Sequence, residues 1–289
     1  MRVVFRADAT ASIGTGHVMR CWALAEEFAA RGWEIAWQGS IEVPWLGAAL
    51  AGVDWPVSGP GNVEADLVVV DSYTLGPGYR QGLLDRGIPV VAIVDTHHEE
   101  LGPGALWVNP GPPMAMPSSA RFLNGPAYVL IRSEIRALRA LRESVEPGDG
   151  VSFLLGGTDF AGLGALVDQL ELPVPVYAGP GTGRGRGVTW LPGGPELLRR
   201  AARSRLVVSA AGVSSWEMLH IGVPMALVLA AENQWGNYKW MTSHGWAHGL
   251  GQGEALQEGL AGLLRADLPE VQRIDGLGAH RVIEAVMGL

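Results

Sequence analysis

The sequence predicts an α/β protein with two Rossmann-like domains, and three observations support this fold class. Short apolar runs rich in β-branched residues alternate with helical stretches through most of the 289 residues. The apolar runs are continuous, which is typical of parallel strands buried on both faces. A stretch rich in Pro, Gly and acidic residues at 144–150 divides the alternation into two blocks. We therefore expect domains at 1–145 and 150–289, whose sheets meet across a cleft.

The first block begins with a strand and a helix. The helix, predicted over His17–Arg31, carries an apolar stripe at helical spacing, and Gly32 ends it as a left-handed cap. The strands predicted in this block are Arg2–Arg6, Glu34–Trp37, Leu67–Val70, Val90–Val94, Leu106–Val108 and Tyr128–Ile131.

A charged helix, Arg132–Glu143, precedes the linker, and the second block follows it. The final turns, Pro269–Met287, also have a helical pattern. The strands predicted in the second block are Val151–Leu155, Val174–Ala178, Val188–Trp190, Leu206–Ser209 and Met225–Leu229.

Composition excludes several classes of protein. A net charge of −8 argues against a protein that wraps nucleic acid through phosphate neutralisation. The longest apolar run, residues 218–231, contains His220 and Pro224 and is too short to cross a bilayer. The single Cys21 forms no internal disulfide, which indicates a reducing compartment, and we expect a cytoplasmic protein.

Ligands of open α/β sheets bind outside the carboxyl ends of the strands, so the residues there are candidates for a site. In the first block these are Asp8 with the turn 14–17, then 71–73, then 95–98. In the second block they are 156–159, 209–217 and 232–234. Polar loops are common on any surface, so each loop alone has a purely structural explanation.

The turn Gly14-Thr15-Gly16-His17 leads into the first helix. It is not a dinucleotide fingerprint, because Met19 occupies the third glycine position, and it lacks the lysine of a phosphate loop. It places His17 at a helix N-terminus, where the dipole favours the neutral imidazole. His17 is therefore either a general base or a helix-capping residue.

Two loops of the second block suit an anion. Gly156-Gly157-Thr158-Asp159 allows backbone N–H groups to approach a phosphate, although a glycine turn with a capping Thr or Asp explains it equally well. The loop 209–217 is a second such turn, and Glu217, expected in the first turn of the next helix, is either a dipole partner or a ribose ligand. Together the two loops suggest a nucleoside diphosphate.

Other chemistries have less support. The segment Asp95-Thr96-His97-His98 resembles a metal cluster, but neighbouring residues of an extended segment point apart and no companion motif follows, so we expect no metal. No nucleophile elbow is present, and Cys21 lies on the apolar face of its helix. We expect no cofactor.

Several motifs in the same order along most of the chain resemble the PseG/SpsG-type nucleotide-sugar hydrolases, which are similar to GT-B glycosyltransferases and to MurG. These motifs are residues 5–8 and 13–21, the loop 156–159, and residues 209–217, 222–224 and 233–234. The resemblance implies a GT-B-like fold and hydrolysis of a UDP-linked 2,4-diacetamido-2,4,6-trideoxyhexose, without a metal. The product would serve the biosynthesis of a nonulosonic acid such as pseudaminic acid, or of a surface or spore-coat polysaccharide.

The resemblance also implies roles for residues. His17 and Asn233 correspond to catalytic residues. The residues implied in sugar binding are Asp8, Gly14, Gly16, Arg20, Tyr73 and Gln234. The residues implied in UDP binding are Gly156, Gly157, Thr158, Asp159, Ser209, Ser214 and Glu217. Two alternatives remain open: a GT-B glycosyltransferase that uses a UDP-sugar donor, and an inactive nucleotide-sugar binding protein.

Overall fold

Two parallel sheets organise the chain, one of seven strands and one of six. The computed structural model describes residues 1–95, 104–115, 121–156, 159, 162–180, 187–252, 256–268 and 274–289. It divides into two units, Met1–Ser133 together with Asp275–Leu289, and Glu134–Ile274. The predicted class, two α/β domains with parallel sheets, is confirmed.

The first sheet has the strand order β3-β2-β1-β4-β5-β6-β7, with all neighbours parallel. Its central strands are buried along their whole length, which explains their continuous apolar sequences. The strands are β1 (Arg2–Ala7), β2 (Glu34–Gln38), β3 (Val57–Ser58), β4 (Leu67–Asp71), β5 (Val90–Ile93), β6 (Leu106–Asn109) and β7 (Phe122–Asn124).

Helices cover this sheet, and α1 (Gly16–Ala30) packs most closely on it. Its apolar stripe joins the main core of the unit, which includes Leu24 and Phe28. Gly32 has a φ of 79° and ends the helix, as the sequence predicts. Two helices that the sequence did not predict are α2 (Pro44–Gly52) and α3 (Pro77–Leu84), each of which starts with a proline.

The strand predicted at Tyr128–Ile131 is wrong. Gly125, with a φ of 103°, turns the chain into the 3-10 turn Pro126–Tyr128, and residues 129–131 are buried without strand pairing. The last strand of this sheet is instead β7, whose three residues are too few to stand out in the sequence.

The predicted domains, 1–145 and 150–289, differ from the two units at both ends of the second unit. Residues 134–145, expected in the first domain, belong to the second unit. The segment 275–289, expected in the second domain, belongs to the first unit. Its helix α10 (Gly278–Met287) packs on α1 and buries Ala279, Val282 and Ile283 in the same core. Gly278 permits this packing, because a Cβ atom there would collide with the Val129 carbonyl oxygen. Residues 269–273 of the predicted helix lie outside the described residues.

The second sheet has the order β10-β9-β8-β11-β12-β13 and is also parallel. Its strands are β8 (Val151–Leu154), β9 (Val176–Gly179), β10 (Val188–Trp190), β11 (Leu206–Ala210), β12 (Met225–Val228) and β13 (His248–Gly249). Its helices are α4 (Ser133–Ser144), α5 (Leu163–Val167), α6 (Pro195–Ala202), α7 (Val213–Ile221), α8 (Trp235–Ser243) and α9 (Leu256–Arg265).

Each sheet has a topological switch point, where consecutive strands stop progressing to one side and resume on the other. It lies between β1 and β4 in the first sheet and between β8 and β11 in the second. Ligands of such sheets bind at the carboxyl ends of the strands beside this point. The loops after these four strands therefore carry the candidate sites.

Across the described ranges, none of the helices has both the length and the apolar character needed to cross a bilayer.

Candidate active site

The turn after β1 delivers His17 to the start of α1. Gly14 has a φ of 77°, a conformation that favours glycine, and its N–H donates to the Thr10 carbonyl at 2.9 Å. Thr15 precedes the helix, which makes His17 its second residue. His17 is only 6% exposed. Gly14 thus shapes the turn that leads into α1, and a direct contact of Gly14 or Gly16 with substrate stays a prediction.

Two carboxylates stand beside His17 at the ends of neighbouring strands. Asp71 ends β4 and is 1% exposed, and Asp95 follows β5. Arg20, one turn beyond His17 on α1, joins them. Its Nε and Nη2 donate to the two oxygens of Asp71 at 2.5 and 2.6 Å, and its Nη1 donates to Asp95 Oδ2 at 3.1 Å. Arg20 is therefore bound to both carboxylates.

Tyr73 completes this network from the loop after β4. Its hydroxyl donates to Asp95 Oδ2 at 2.5 Å. Its ring meets the His17 imidazole edge to face, with 4.5 Å between the ring centroids. Partial burial and the negative charge of Asp95 raise the pKa of Tyr73, so it remains a neutral donor. The structure thus brings together His17, Arg20 and Tyr73, three residues that the sequence analysis selected.

The electrostatic environment favours a neutral His17. Burial lowers its pKa, the Asp71 carboxylate raises it, and the Arg20 guanidinium lowers it, with a net decrease. The Nε2 of His17 lies 3.9 Å from Asp71 Oδ1. This result agrees with the neutral imidazole expected from the sequence, although the main cause is burial and not the helix dipole. A proton taken up by His17 would be stabilised by Asp71.

Asp8 is held by contacts within the first unit. Arg6 Nη1 donates to its Oδ1 at 2.7 Å, and the Ser40 N–H donates to the same oxygen at 2.9 Å. Burial opposes ionisation of Asp8, but these two donors outweigh it and lower the pKa. Gly39 allows the close packing, because a Cβ atom there would lie 2.8 Å from Asp8 Oδ1. A contact of Asp8 with sugar stays a prediction.

The loop after β8 is described in part. Gly156 has a φ of 82° and is exposed, and a Cβ atom there would meet nothing within 4 Å. Gly157 and Thr158 lie outside the described residues. Asp159 has a φ of 48°, and its Oδ2 accepts the Gly164 N–H at 3.0 Å near the start of α5. The Asp159 carboxylate is therefore hydrogen-bonded to the first turn of α5, and its role in UDP binding stays a prediction.

The loop after β11 leads directly into α7. Ser209 is buried in β11, where its hydroxyl donates to the Ala210 carbonyl at 2.9 Å, and the partly buried Ser214 is the second residue of α7. The expectation that Glu217 lies in the first turn is wrong. Gly212 is extended, so α7 begins at Val213 and Glu217 falls in its second turn, where it is almost completely buried.

Asn233 and Gln234 lie on the 3-10 turn Glu232–Gln234 that precedes α8. Asn233 is exposed. The side-chain nitrogen of Gln234 would lie 3.7 Å from a Cβ atom on Gly212, so Gln234 borders the start of α7. Its Oε1 is buried and accepts no hydrogen bond from the described residues. Of the two, Gln234 is the residue that the structure brings to the predicted UDP loop.

Other chemistries can be judged from the described ranges. Within them, no group of three His, Cys, Asp or Glu residues is arranged to hold a metal ion. Residues 96–98 of the segment compared with a metal cluster lie outside these ranges. Cys21 is fully buried, and burial together with Asp71 raises the pKa of its thiol, which argues against a nucleophilic thiolate.

Sequence reasoning did not select Asp71 and Asp95 as site residues. Both were noted as residues at the ends of strands, which is the signal that points to them. Their partnership through Arg20 spans 51 and 75 sequence positions, and no local pattern reveals it.

No family model matches the chain, and no curated protein sequence matches it. Solved structures do. MurG from Acinetobacter baumannii is 16% identical with a TM-score of 0.67, over 100% of this chain and 99% of that chain. UDP-GlcNAc 2-epimerase from Neisseria meningitidis, bound to UDP-GlcNAc, is 12% identical with a TM-score of 0.65, over 100% of both chains.

The Streptomyces sp. SF2575 glycosyltransferase SsfS6 is 16% identical with a TM-score of 0.58, over 100% of this chain and 96% of that chain. At these identities the likeness establishes the fold. The chain therefore has the two-domain α/β fold of these proteins, and the GT-B-like fold class predicted from the sequence is confirmed.

Proposed function

We propose that this protein is an inverting, metal-independent UDP-sugar hydrolase. The observation that carries the proposal is His17, buried beside Asp71 at the switch point of the first sheet, where its lowered pKa favours the neutral imidazole. The resemblance to the PseG/SpsG-type hydrolases implies the substrate, a UDP-linked 2,4-diacetamido-2,4,6-trideoxyhexose. The released sugar would serve nonulosonic acid or surface polysaccharide biosynthesis in the cytoplasm.

The second unit is assigned to UDP. The exposed Gly156 backbone and the start of α7 offer N–H groups for the pyrophosphate, which removes the need for a metal counter-ion. Glu217 is assigned to the ribose hydroxyls, and Gln234 to the sugar side of the same loop. Ser209 and Ser214 complete this set of predicted contacts.

The first unit is assigned to the chemistry. His17 removes a proton from water, and the water oxygen attacks the anomeric carbon while the bond to the UDP oxygen breaks and its electron pair leaves with UDP. The proton stays on the imidazole, where Asp71 at 3.9 Å stabilises it. One direct displacement inverts the anomeric centre. Asn233 is proposed to orient the reacting groups.

Two solved structures with the same fold support a nucleotide-based substrate. The Neisseria meningitidis epimerase is bound to UDP-GlcNAc, and SsfS6 is complexed with thymidine diphosphate. A chain with this fold and glycine-containing loops at the second switch point suits the same class of ligand. The choice of uridine follows from the resemblance.

The test is hydrolysis in ¹⁸O-labelled water with a panel of UDP-sugars, followed by mass spectrometry of both products. Label in the sugar is expected. Label in a phosphate product would contradict attack at carbon. His17→Ala should reduce turnover about 10²–10⁴-fold with UDP affinity unchanged, because the base lies outside the UDP-binding unit. Turnover close to that of the unmodified protein would refute the assignment.

A glycosyltransferase is the second candidate, favoured by the likeness to MurG and SsfS6. The same donor site would then pass the sugar to a hydroxyl acceptor instead of water. Adding candidate acceptors to the UDP-sugar panel distinguishes the two activities. UDP release that depends on an acceptor would indicate a transferase.

A further inference from the structure

Asp95 stands out because its two carboxylate oxygens have different surroundings. Oδ2 accepts hydrogen bonds from Arg20 Nη1 at 3.1 Å and from the Tyr73 hydroxyl at 2.5 Å. Oδ1 is shielded from water and accepts no hydrogen bond from the described residues. Buried polar atoms without a partner are rare in folded proteins, and an unpaired charged acceptor is the costliest kind.

The orientation of this carboxylate is set by its neighbours. Arg20 is itself fixed by two hydrogen bonds to Asp71, so the direction of its third contact is constrained. Tyr73 approaches the same Oδ2 from the loop after β4. Oδ1 is therefore a preorganised acceptor, since the groups that hold Asp95 in place leave it unused.

The surroundings of Asp95 favour its ionised form. Burial opposes its ionisation, but the Arg20 charge and the Tyr73 hydrogen bond outweigh burial and lower the pKa of Asp95. A charged acceptor calls for a hydrogen-bond donor rather than for an apolar group. The Asp95 side chain is 18% exposed and its neighbour Tyr73 is 47% exposed, so the pair reaches the surface of the first unit.

We propose that Asp95 is a sugar-contacting, specificity-determining residue, whose Oδ1 accepts a hydrogen bond from a hydroxyl or acetamido N–H of the sugar. The inference rests on the proposed function in that it takes a nucleotide sugar as the ligand. The sugar offers several neutral O–H and N–H donors, and it is the part of the ligand assigned to the first unit, whereas UDP is assigned to the second. A sugar that lacks the matching donor would leave Oδ1 unpaired and bind more weakly.

Asp95→Asn is a sharp test of this contact. Arg20 and Tyr73 both donate, so the amide oxygen must face them and the amide NH2 must occupy the position of Oδ1. The variant thus keeps the internal network and replaces the acceptor by a donor. UDP and UDP-GlcNAc affinities are measured by calorimetry. UDP-GlcNAc should bind about 10- to 100-fold more weakly, with UDP affinity unchanged.

The control is Asp66→Asn in the same unit, where the exposed carboxylate accepts the Arg2 N–H at 2.7 Å. It should change neither affinity. Deoxy analogues of UDP-glucose, titrated into the unmodified protein, provide a test that does not depend on folding of a variant. One analogue should bind about 10- to 100-fold more weakly than UDP-glucose while the others match it.

Equal losses for UDP and UDP-GlcNAc, no loss for either, or analogues that all bind alike would each overturn the inference. Failure of the proposed function gives a different result. If the unmodified protein releases UDP from no substrate while Asp95→Asn still weakens only UDP-GlcNAc, the hydrolase proposal fails and the sugar contact stands.

Discussion

Replacing Asp71 by Asn tests whether this carboxylate governs the protonation of His17. The substitution removes a negative charge 3.9 Å from the imidazole and leaves Arg20, whose charge disfavours imidazolium, in place. At this distance a pair of unit charges interacts by about 4 kcal/mol at an effective dielectric constant near 20, and by about 1 kcal/mol in water. With about 1.4 kcal/mol per pKa unit, the pKa of His17 should fall by roughly 1 to 3 units.

The assay is an NMR titration of the histidine ring protons, with the His17 resonance assigned by its loss in His17→Gln. This readout needs no substrate. The acidic limb of the kcat/KM profile should move to lower pH by the same amount, because the base stays unprotonated further into acid. Asp66→Asn, an exposed substitution of the same kind, should leave both measurements unchanged.

Asp71 is buried and paired with Arg20, so the variant should also lose stability, by about 3–5 kcal/mol for a broken buried ion pair. Measurements are therefore restricted to temperatures at which circular dichroism shows a folded variant. A folded Asp71→Asn protein whose His17 pKa is unchanged or higher would refute the electrostatic argument.

Four further predictions concern ligand binding and stability. Calorimetry should show that UDP keeps most of its affinity in the presence of a chelator, and dependence on a divalent metal would contradict this assignment. By the same measurement, Glu217→Ala should weaken the binding of UDP more than the binding of inorganic pyrophosphate, and equal losses of affinity would contradict the ribose contact. Gly278→Ala should destabilise the protein by about 1–3 kcal/mol in urea unfolding through its collision with Val129. Gly262→Ala, on the open face of α9, should instead stabilise it by up to about 1 kcal/mol, and the same sign for both variants would contradict the packing argument. The pKa of His17 is lower in the folded state, so as pH falls through about 6.5 the unfolded state binds a proton that the folded state does not. The unmodified protein should therefore lose stability between pH 7 and pH 5 more steeply than His17→Gln, by up to about 1.4 kcal/mol per pH unit. Parallel profiles of stability against pH would show that the pKa of this histidine is not lowered.

The sequence by itself determined the fold class and the loops to inspect. Continuous apolar runs such as Leu67–Val70 and Val90–Val94 predict buried parallel strands, and the structure has them as β4 and β5. The turn that leads to His17 was likewise evident from Gly14 and Gly16. These features depend on burial and backbone conformation within a few residues, so a local pattern records them.

Weak or interrupted elements were not predicted correctly, because their local patterns are too short or ambiguous. The edge strand β7 has three partly buried residues, which are too few for a periodic pattern to appear. The apolar residues at 128–131 suggested a strand, but the turn at Gly125 and Pro126 prevents it. The apolar face of α10 showed that it must be buried, but not against which partner.

Only the tertiary structure decided which distant residues meet. It joined Arg20 to Asp71 and Asp95, left Asp95 Oδ1 without a donor among the described residues, and packed α10 on α1 from the far end of the chain. It also joined the Asp159 carboxylate to the first turn of α5. These contacts depend on side-chain positions across neighbouring strands and helices, where burial and charge act through space, and spacing along the chain carries no record of them.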